Sequence, residues 1–238
     1  MRIAISLVIP RKAQNPRSHP LPPSKMPKPL AEGKNRSTES TDPDHAARAF
    51  RQWRHVPELV VFDLDFTMWF PAMDEVHGER FAKDPVTGVV TDAVGEQVHF
   101  YPEVEAVLSV LQTDPQFRDT KVGVASRTEE IEYAKTCLGL MDVVLRGEDA
   151  EEGGDVVKKS LRSIADYVTI YPGDKTTHFK ELKKKSEIAF EDMLFCDDDA
   201  DNVKDVGGLG VTCVHCPEGL TVASFLQGME AFQNAKTL

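Results

Sequence analysis

"ELVVFDLDFTMWF", residues 58–70, decides the fold. Its first half is a near-continuous apolar run, the pattern of a central parallel strand covered on both faces. The run ends on two carboxylates, Asp63 and Asp65, one residue apart. Positions i and i+2 of an extended chain project to the same side, so the pair shares one edge. A buried aspartate is costly unless it is paired or bound to a metal, and two side by side repel each other. The pattern therefore asks for positive charge from elsewhere. A turn or helix-cap pair of aspartates is the plain alternative.

Further strands follow. "KVGVAS" (121–126), "YVTIYP" (167–172), "DMLFCD" (192–197) and "VTCVH" (211–215) read as strands. Between and after them, "EVEAVLSVLQ", "TEEIEYAKTCLGL", "KTTHFKELKKKS", "NVKDVGGLG" and "TVASFLQGMEAFQNA" read as helices. In the first of these, Val104, Val107, Leu108 and Leu111 share one helical face. Strands alternating with helices predict an α/β, three-layer Rossmann-like parallel sheet. "TGVVTDAVGEQVHFY" within residues 71–101 suggests a small hairpin, and residues 146–166 an acidic Gly-bearing loop with a helix over "VVKKSLRSIA". In such sheets ligands bind outside the carboxyl ends of the strands.

Each of those ends carries polar residues. "ASRT" places Ser126 and Arg127 after the second strand, where a hydroxyl, a guanidinium and the free N–H groups of a helix start suit an anion. A capping box, Ser126 with Glu129, is the alternative there. After the third strand, Lys175 stands at a loop-to-helix transition, from which an ammonium can reach the strand edge. The fourth ends in Asp197, Asp198 and Asp199, three like charges that need a cation unless they form an acidic turn. A pair of carboxylates at a strand edge is a hard-oxygen nest suited to Mg²⁺.

The remainder of the chain narrows the choice. The net charge is −11, yet residues 1–57 hold 11 Lys/Arg against 4 Asp/Glu, leaving −18 on the rest. So acidic a body argues against nucleic acid as a partner. Nine of the 15 prolines also fall in residues 1–57, which read as a disordered basic Pro-rich tail ahead of a domain at 58–238. "HAARAFRQWRH" suggests a short helix just before that domain. No apolar run is long enough to span a bilayer. The expected location is cytoplasmic, with a mitochondrial transit segment as the alternative because no acid precedes Glu32. Cys213 and Cys216 have CxxC spacing, but no second pair completes a zinc site.

In order, DxDxT, Ser, Lys and an acid pair resemble the motifs of the haloacid dehalogenase superfamily of phosphohydrolases. "FDLDFTMWF", "YPEV", "ASRTEEIE", "YPGDKTTHF", "FCDDDADN" and "LGVTCVH" resemble, more closely, the magnesium-dependent phosphatase-1 family over residues 58–236. The resemblance implies a nucleophile at Asp63, forming an aspartyl-phosphate, and an acid/base at Asp65. It implies phosphate contacts at Ser126, Arg127 and Lys175. For Mg²⁺ it implies Asp63, the Asp65 backbone carbonyl and the Asp197/Asp198 pair, with Asp198 the first choice.

Three features depart from that family: the head 1–57, a longer link over 143–168, and Asp174 before Lys175 where the family commonly has serine. Only about sixty residues separate Asp65 from Ser126, so the cap is a minimal hairpin and the site open. An open site suits a phosphorylated small molecule or protein, and the resemblance implies phosphotyrosine or phosphorylated sugar adducts of the fructosamine-6-phosphate type. Trp69 and Phe70 are expected to wall the leaving group, or else to pack in the lid. The rival readings are a non-hydrolytic phospho-receiver and a silent interaction module. A receiver would set its phosphoacceptor Asp where "KVGVAS" ends in Ser126.

Overall fold

The computed structural model describes residues 53–77, 80–146 and 157–237. Five strands form its central sheet: β1 (Leu59–Phe62), β6 (Lys121–Ser126), β9 (Tyr167–Ile170), β10 (Met193–Asp197) and β11 (Thr212–His215). The order is β11–β10–β1–β6–β9, every neighbour parallel, with β1 in the middle. Alternate residues of β1 face opposite cores. Val60 and Phe62 join one cluster with Leu194 and Cys196, while Leu59 and Val61 join another with Met193 and Phe195. Burial on both faces is why the inner strands β1, β6 and β10 read as nearly unbroken apolar runs, while β9 and β11 at the edges are only half-buried.

Helices supply the outer layers. On one side α1 (Val104–Thr113), α2 (Ile131–Leu140) and α6 (Val222–Thr237) bring Leu108, Leu138 and Phe225 onto the sheet, Phe225 stacking on Phe62 at 6.3 Å. On the other, α4 (Lys175–Ser186) and α5 (Ala200–Gly207) bring Phe179, Leu182 and Val206, with Phe179 edge-on to Phe195 at 4.8 Å. Helix α6 lies close because Gly228 has no Cβ, which would stand 2.3 Å from Val214 Cγ2.

Above the sheet sits a second, antiparallel sheet of β2 (Trp69–Phe70), β3 (Ala82–Lys83), β4 (Val90–Thr91) and β5 (Gln97–Phe100), in the order β2–β5–β4–β3. The expected hairpin is there as β4–β5, but β2 and β3 pair along its two sides, so the cap is four-stranded.

Two expectations change. "VVKKSLRSIA" is not one helix: β8 (Val157–Ser160) pairs antiparallel with β7 (Asp142–Leu145), and only α3 (Leu161–Ile164) is helical. The open side of β7 takes the backbone that local propensity would coil, and the Ser160 side chain then caps α3 through the Ser163 N–H. The acidic loop expected before it falls in residues 147–156, which lie outside the described residues. Ahead of β1, Trp53 packs on the core, Pro57 is buried, and the Thr120 hydroxyl donates to the Pro57 carbonyl at 2.8 Å. The packed chain thus begins before Glu58. The helix expected over "HAARAFRQWRH" lies outside the described residues as far as residue 52, and residues 53–55, which are described, are not helical. Among the described residues no helix is long and apolar enough to cross a membrane.

Candidate active site

Strand register builds the site. Phe62 pairs with Cys196 and Val124, and the Asp63 N–H donates to the Cys196 carbonyl at 3.0 Å. The next residues along, Asp63 and Asp197, therefore stand side by side at the carboxyl end. Between them lies the ammonium of Lys175, 2.6 Å from Asp63 Oδ1 and 3.0 Å from Asp197 Oδ2. It also donates to the Ala125 carbonyl and lies 5.4 Å from the Phe195 ring centroid. One buried cation is thus shared by two buried acids.

Asp65 is held apart from that pair. After Asp63 the chain coils so that the N–H groups of Thr67, Met68 and Trp69 all meet the Leu64 carbonyl, with Phe66 at positive φ. This turn swings Trp69 back beneath Asp65. Its indole Nε1 donates to Asp65 Oδ1 at 2.7 Å, and the Met73 N–H donates to the same oxygen at 3.1 Å. Trp69 is fully buried and does not line the cavity, so the expectation that it walls the leaving group is corrected. It packs inward because its ring is worth more in the core than at the rim, and its N–H finds a carboxylate. Phe70 packs on Tyr101 and His99 in the cap.

The remaining strand ends converge. Ser126, almost fully buried, closes β6; α2 starts only at Ile131 with Glu130 at its cap, so the Ser126–Glu129 capping box does not form. The Ser126 Oγ instead accepts the Thr128 N–H at 3.4 Å. Arg127 is exposed and donates to Asn202 Oδ1 at 2.8 Å. Asn202 in turn donates to both oxygens of Asp197, at 3.1 and 3.2 Å. Asp198 is anchored through its backbone, its N–H donating to Thr67 Oγ1 at 2.9 Å and its carbonyl meeting His215 Nε2 at 3.0 Å. Thr67 is the threonine of the DxDxT motif, whereas Asn202 and His215 are not among the site residues expected from the sequence. Asn202 has a signal in hindsight: in a helix starting at Ala200 it lies within reach of the acids that close the preceding strand.

A cavity of about 840 Å³ opens over this point. Asp63, Asp65, Ser126, Arg127, Asp198 and Asn202 line it, and Lys175 and Asp197 lie behind them. Burial, with repulsion from Asp197 and Asp65, pushes the Asp63 carboxyl up to about 7 against the pull of Lys175. Burial likewise pushes Asp65 up to about 6, opposed by the Trp69 and Met73 donors. Oxygens of Asp63, Asp197 and Asp198 lie within 4.8 Å of one another. Hard carboxylate oxygens gathered around too little positive charge fit a small divalent ion such as Mg²⁺. The Asp65 side chain is not among the converging oxygens; its Oδ1 is taken by the Trp69 and Met73 donors.

A parallel sheet with acids, a hydroxyl and a lysine at its strand tips defines a phosphohydrolase-type site of the haloacid dehalogenase class. The chain belongs to the acid phosphatase family, whose model matches residues 55–235. It is 37% identical to magnesium-dependent phosphatase 1 of Homo sapiens, over 76% of this chain and 90% of that one. It is 34% identical to a HAD-like hydrolase superfamily protein of Schizosaccharomyces pombe, over 72% and 93% of the two chains. Among solved structures, the N-terminal phosphatase-domain part of a Bacteroides fragilis protein, complexed with Mg, aligns over 75% of this chain and 40% of that one. Its identity is 14% and its TM-score 0.45, a distant likeness.

Proposed function

We propose that this chain, a magnesium-dependent phosphatase of the haloacid dehalogenase superfamily, hydrolyses phosphomonoesters through an aspartyl-phosphate on Asp63. The observation that carries the reading is the convergence of Asp63, Asp197 and Asp198 oxygens within 4.8 Å beside a cavity that Asp65 also lines. Asp63, Asp198 and the Asp65 carbonyl would hold Mg²⁺. Asp197, already engaged by Lys175, Asn202 and the Asp199 N–H, serves better as the partner that keeps Lys175 in place. Bound there, the ion supplies charge that offsets repulsion between Asp63 and a phosphate dianion and polarises a phosphoryl oxygen.

The chain's own groups divide the work. Asp63 attacks phosphorus with a carboxylate oxygen, and the ester P–O bond breaks with its electrons on the leaving oxygen. Asp65, whose raised pKa keeps a share of it protonated near neutral pH, gives that oxygen a proton. As a carboxylate it then takes a proton from water, which attacks phosphorus and releases Asp63 and inorganic phosphate. Ser126 and Arg127 reach the cavity from the β6 end to hold phosphate oxygens, and the buried ammonium of Lys175 offsets charge beside Asp63.

The cap is a small sheet and the cavity stays open, which supports phosphate carried on a large substrate: protein phosphotyrosine or phosphorylated sugar adducts on protein amines. Hydrolysis of p-nitrophenyl phosphate with and without Mg²⁺, mass spectrometry for phosphoaspartate, and a panel of phosphotyrosine peptides against sugar-phosphate adducts test the reading. No phosphoaspartate under any quench, with Asp63→Asn still active, refutes the covalent route.

A further inference from the structure

Among the described residues two donors reach the Asp65 side chain, and both fall on one of its two oxygens. Trp69 Nε1 stands 2.7 Å from Oδ1 and the Met73 N–H 3.1 Å from that same atom. An oxygen already accepting two hydrogen bonds does not also carry a proton, so the acid form of Asp65 is protonated on Oδ2. Asp65 lines the cavity, and neither of these two donors reaches its Oδ2. Trp69 itself is locked: fully buried, paired in β2 against Phe100, and turned back by the coil over the Leu64 carbonyl. An indole has one N–H and no acceptor, so it can orient a carboxyl but cannot take its proton.

We propose that Trp69 is a positioning residue for the phosphatase reaction, holding Asp65 so that the Oδ2 proton points at the leaving oxygen; this rests on the hydrolase reading above. As the Asp63 oxygen bonds to phosphorus and the ester P–O bond breaks, the leaving oxygen takes its electron pair and then the Oδ2 proton. The products are an alcohol and the Asp65 carboxylate, whose Oδ1 stays on Trp69. A nitrophenolate leaves without needing that proton, whereas an alkoxide needs it.

The test compares Trp69→Phe with wild type in kcat/KM, which reports phosphoryl transfer to Asp63, using glycerol 2-phosphate and p-nitrophenyl phosphate with Mg²⁺. The expected result is a loss on the alkyl ester on the order of ten-fold or more beyond the loss on the nitrophenyl ester. In an Asp65→Asn background the Trp69 substitution should produce no further discrimination between the two esters. Should Trp69→Phe fold poorly, benzothienylalanine placed at position 69 removes only the N–H and should give the same split. Equal losses on both esters, or discrimination that persists in the Asp65→Asn background, overturn the proposal while leaving the hydrolase reading intact. A wild-type protein inert toward both esters with Mg²⁺ overturns the two together.

Discussion

The cap and the sheet edge use the same side chain in opposite ways. In the cap, Asp92 is covered from solvent much as Asp63 is, though it lies near the molecular surface rather than deep within it, and its carboxyl lies below the usual range. Burial pushes it up, but N–H groups of His77, Glu96, Val94 and Gly95 together outweigh burial. Asp84, exposed in the neighbouring turn, is lowered in the same manner by Thr87 and Val86. At the sheet edge Asp63 has one ammonium, shared with Asp197, and its carboxyl is raised to about 7. Aspartates answered by backbone donors shape turns. Aspartates left short of positive charge mark the place where a cation and a phosphate are expected.

Removing the deficit outright has the largest effect. Asp63→Asn should lower turnover on the order of 10⁴-fold or more, because a group that acts with its partners as a unit takes the whole reaction with it. It should also raise the melting temperature of the metal-free protein, since one of two like charges sharing Lys175 is gone; a fall in EDTA would break the contrast drawn here. Lys175→Met deepens the deficit instead. Two buried carboxylates lose their ammonium, with an expected cost of about 3–5 kcal/mol by urea titration. Added Mg²⁺ should recover part of that.

The pH dependence of stability has opposite signs in the two regions. Asp63 and Asp65 bind protons more tightly folded than unfolded, where aspartate titrates near 3.8. Their contribution is therefore full below about pH 4 and is lost as pH rises through about 6 and 7, a fall on the order of a few kcal/mol. Asp92 is lowered on folding, so its contribution is present above the unfolded value and lost as pH falls. Thermal melts in EDTA should decline from pH 4 to 7 in wild type, decline less in Asp63→Asn, and decline little once Mg²⁺ is present.

How far the sequence reaches follows from what each element depends on. β1, β6 and β10 were legible because burial on both faces writes apolar runs that need no partner to be read, and the half-buried edge strands β9 and β11 through their β-branched residues. The acids, hydroxyl and lysine at their ends were legible for the same reason: polar groups stand out where an apolar strand stops. β8 was not, since "VKKS" is exposed and takes its conformation from β7. The two-residue strands β2 and β3 are too short to carry a period. Trp69 was read by its apolar ring alone. Nothing local says that the turn after Leu64 would bring its N–H under Asp65, which is a consequence of three amides meeting one carbonyl.

Asp174, the residue before Lys175, gives the smallest effect and the finest test. A carboxylate in that position reads as a threat to the lysine's hold on phosphate. In the fold it behaves like Asp84: exposed, the N-cap of α4, accepting the Thr176 N–H at 2.7 Å, and lowered chiefly by that bond. Lys175 points the other way, into the pair formed by Asp63 and Asp197. Asp174→Ala should therefore cost about 1 kcal/mol of stability by urea titration, the usual loss of a helix cap. Asp174→Ser, which keeps a cap, should cost a few tenths of that at most. Neither should change kcat/KM for p-nitrophenyl phosphate. A rise in kcat/KM in both variants would mean that Asp174 drains the charge of Lys175 after all, and the line between turn-forming and site-forming aspartates would have to be redrawn through α4.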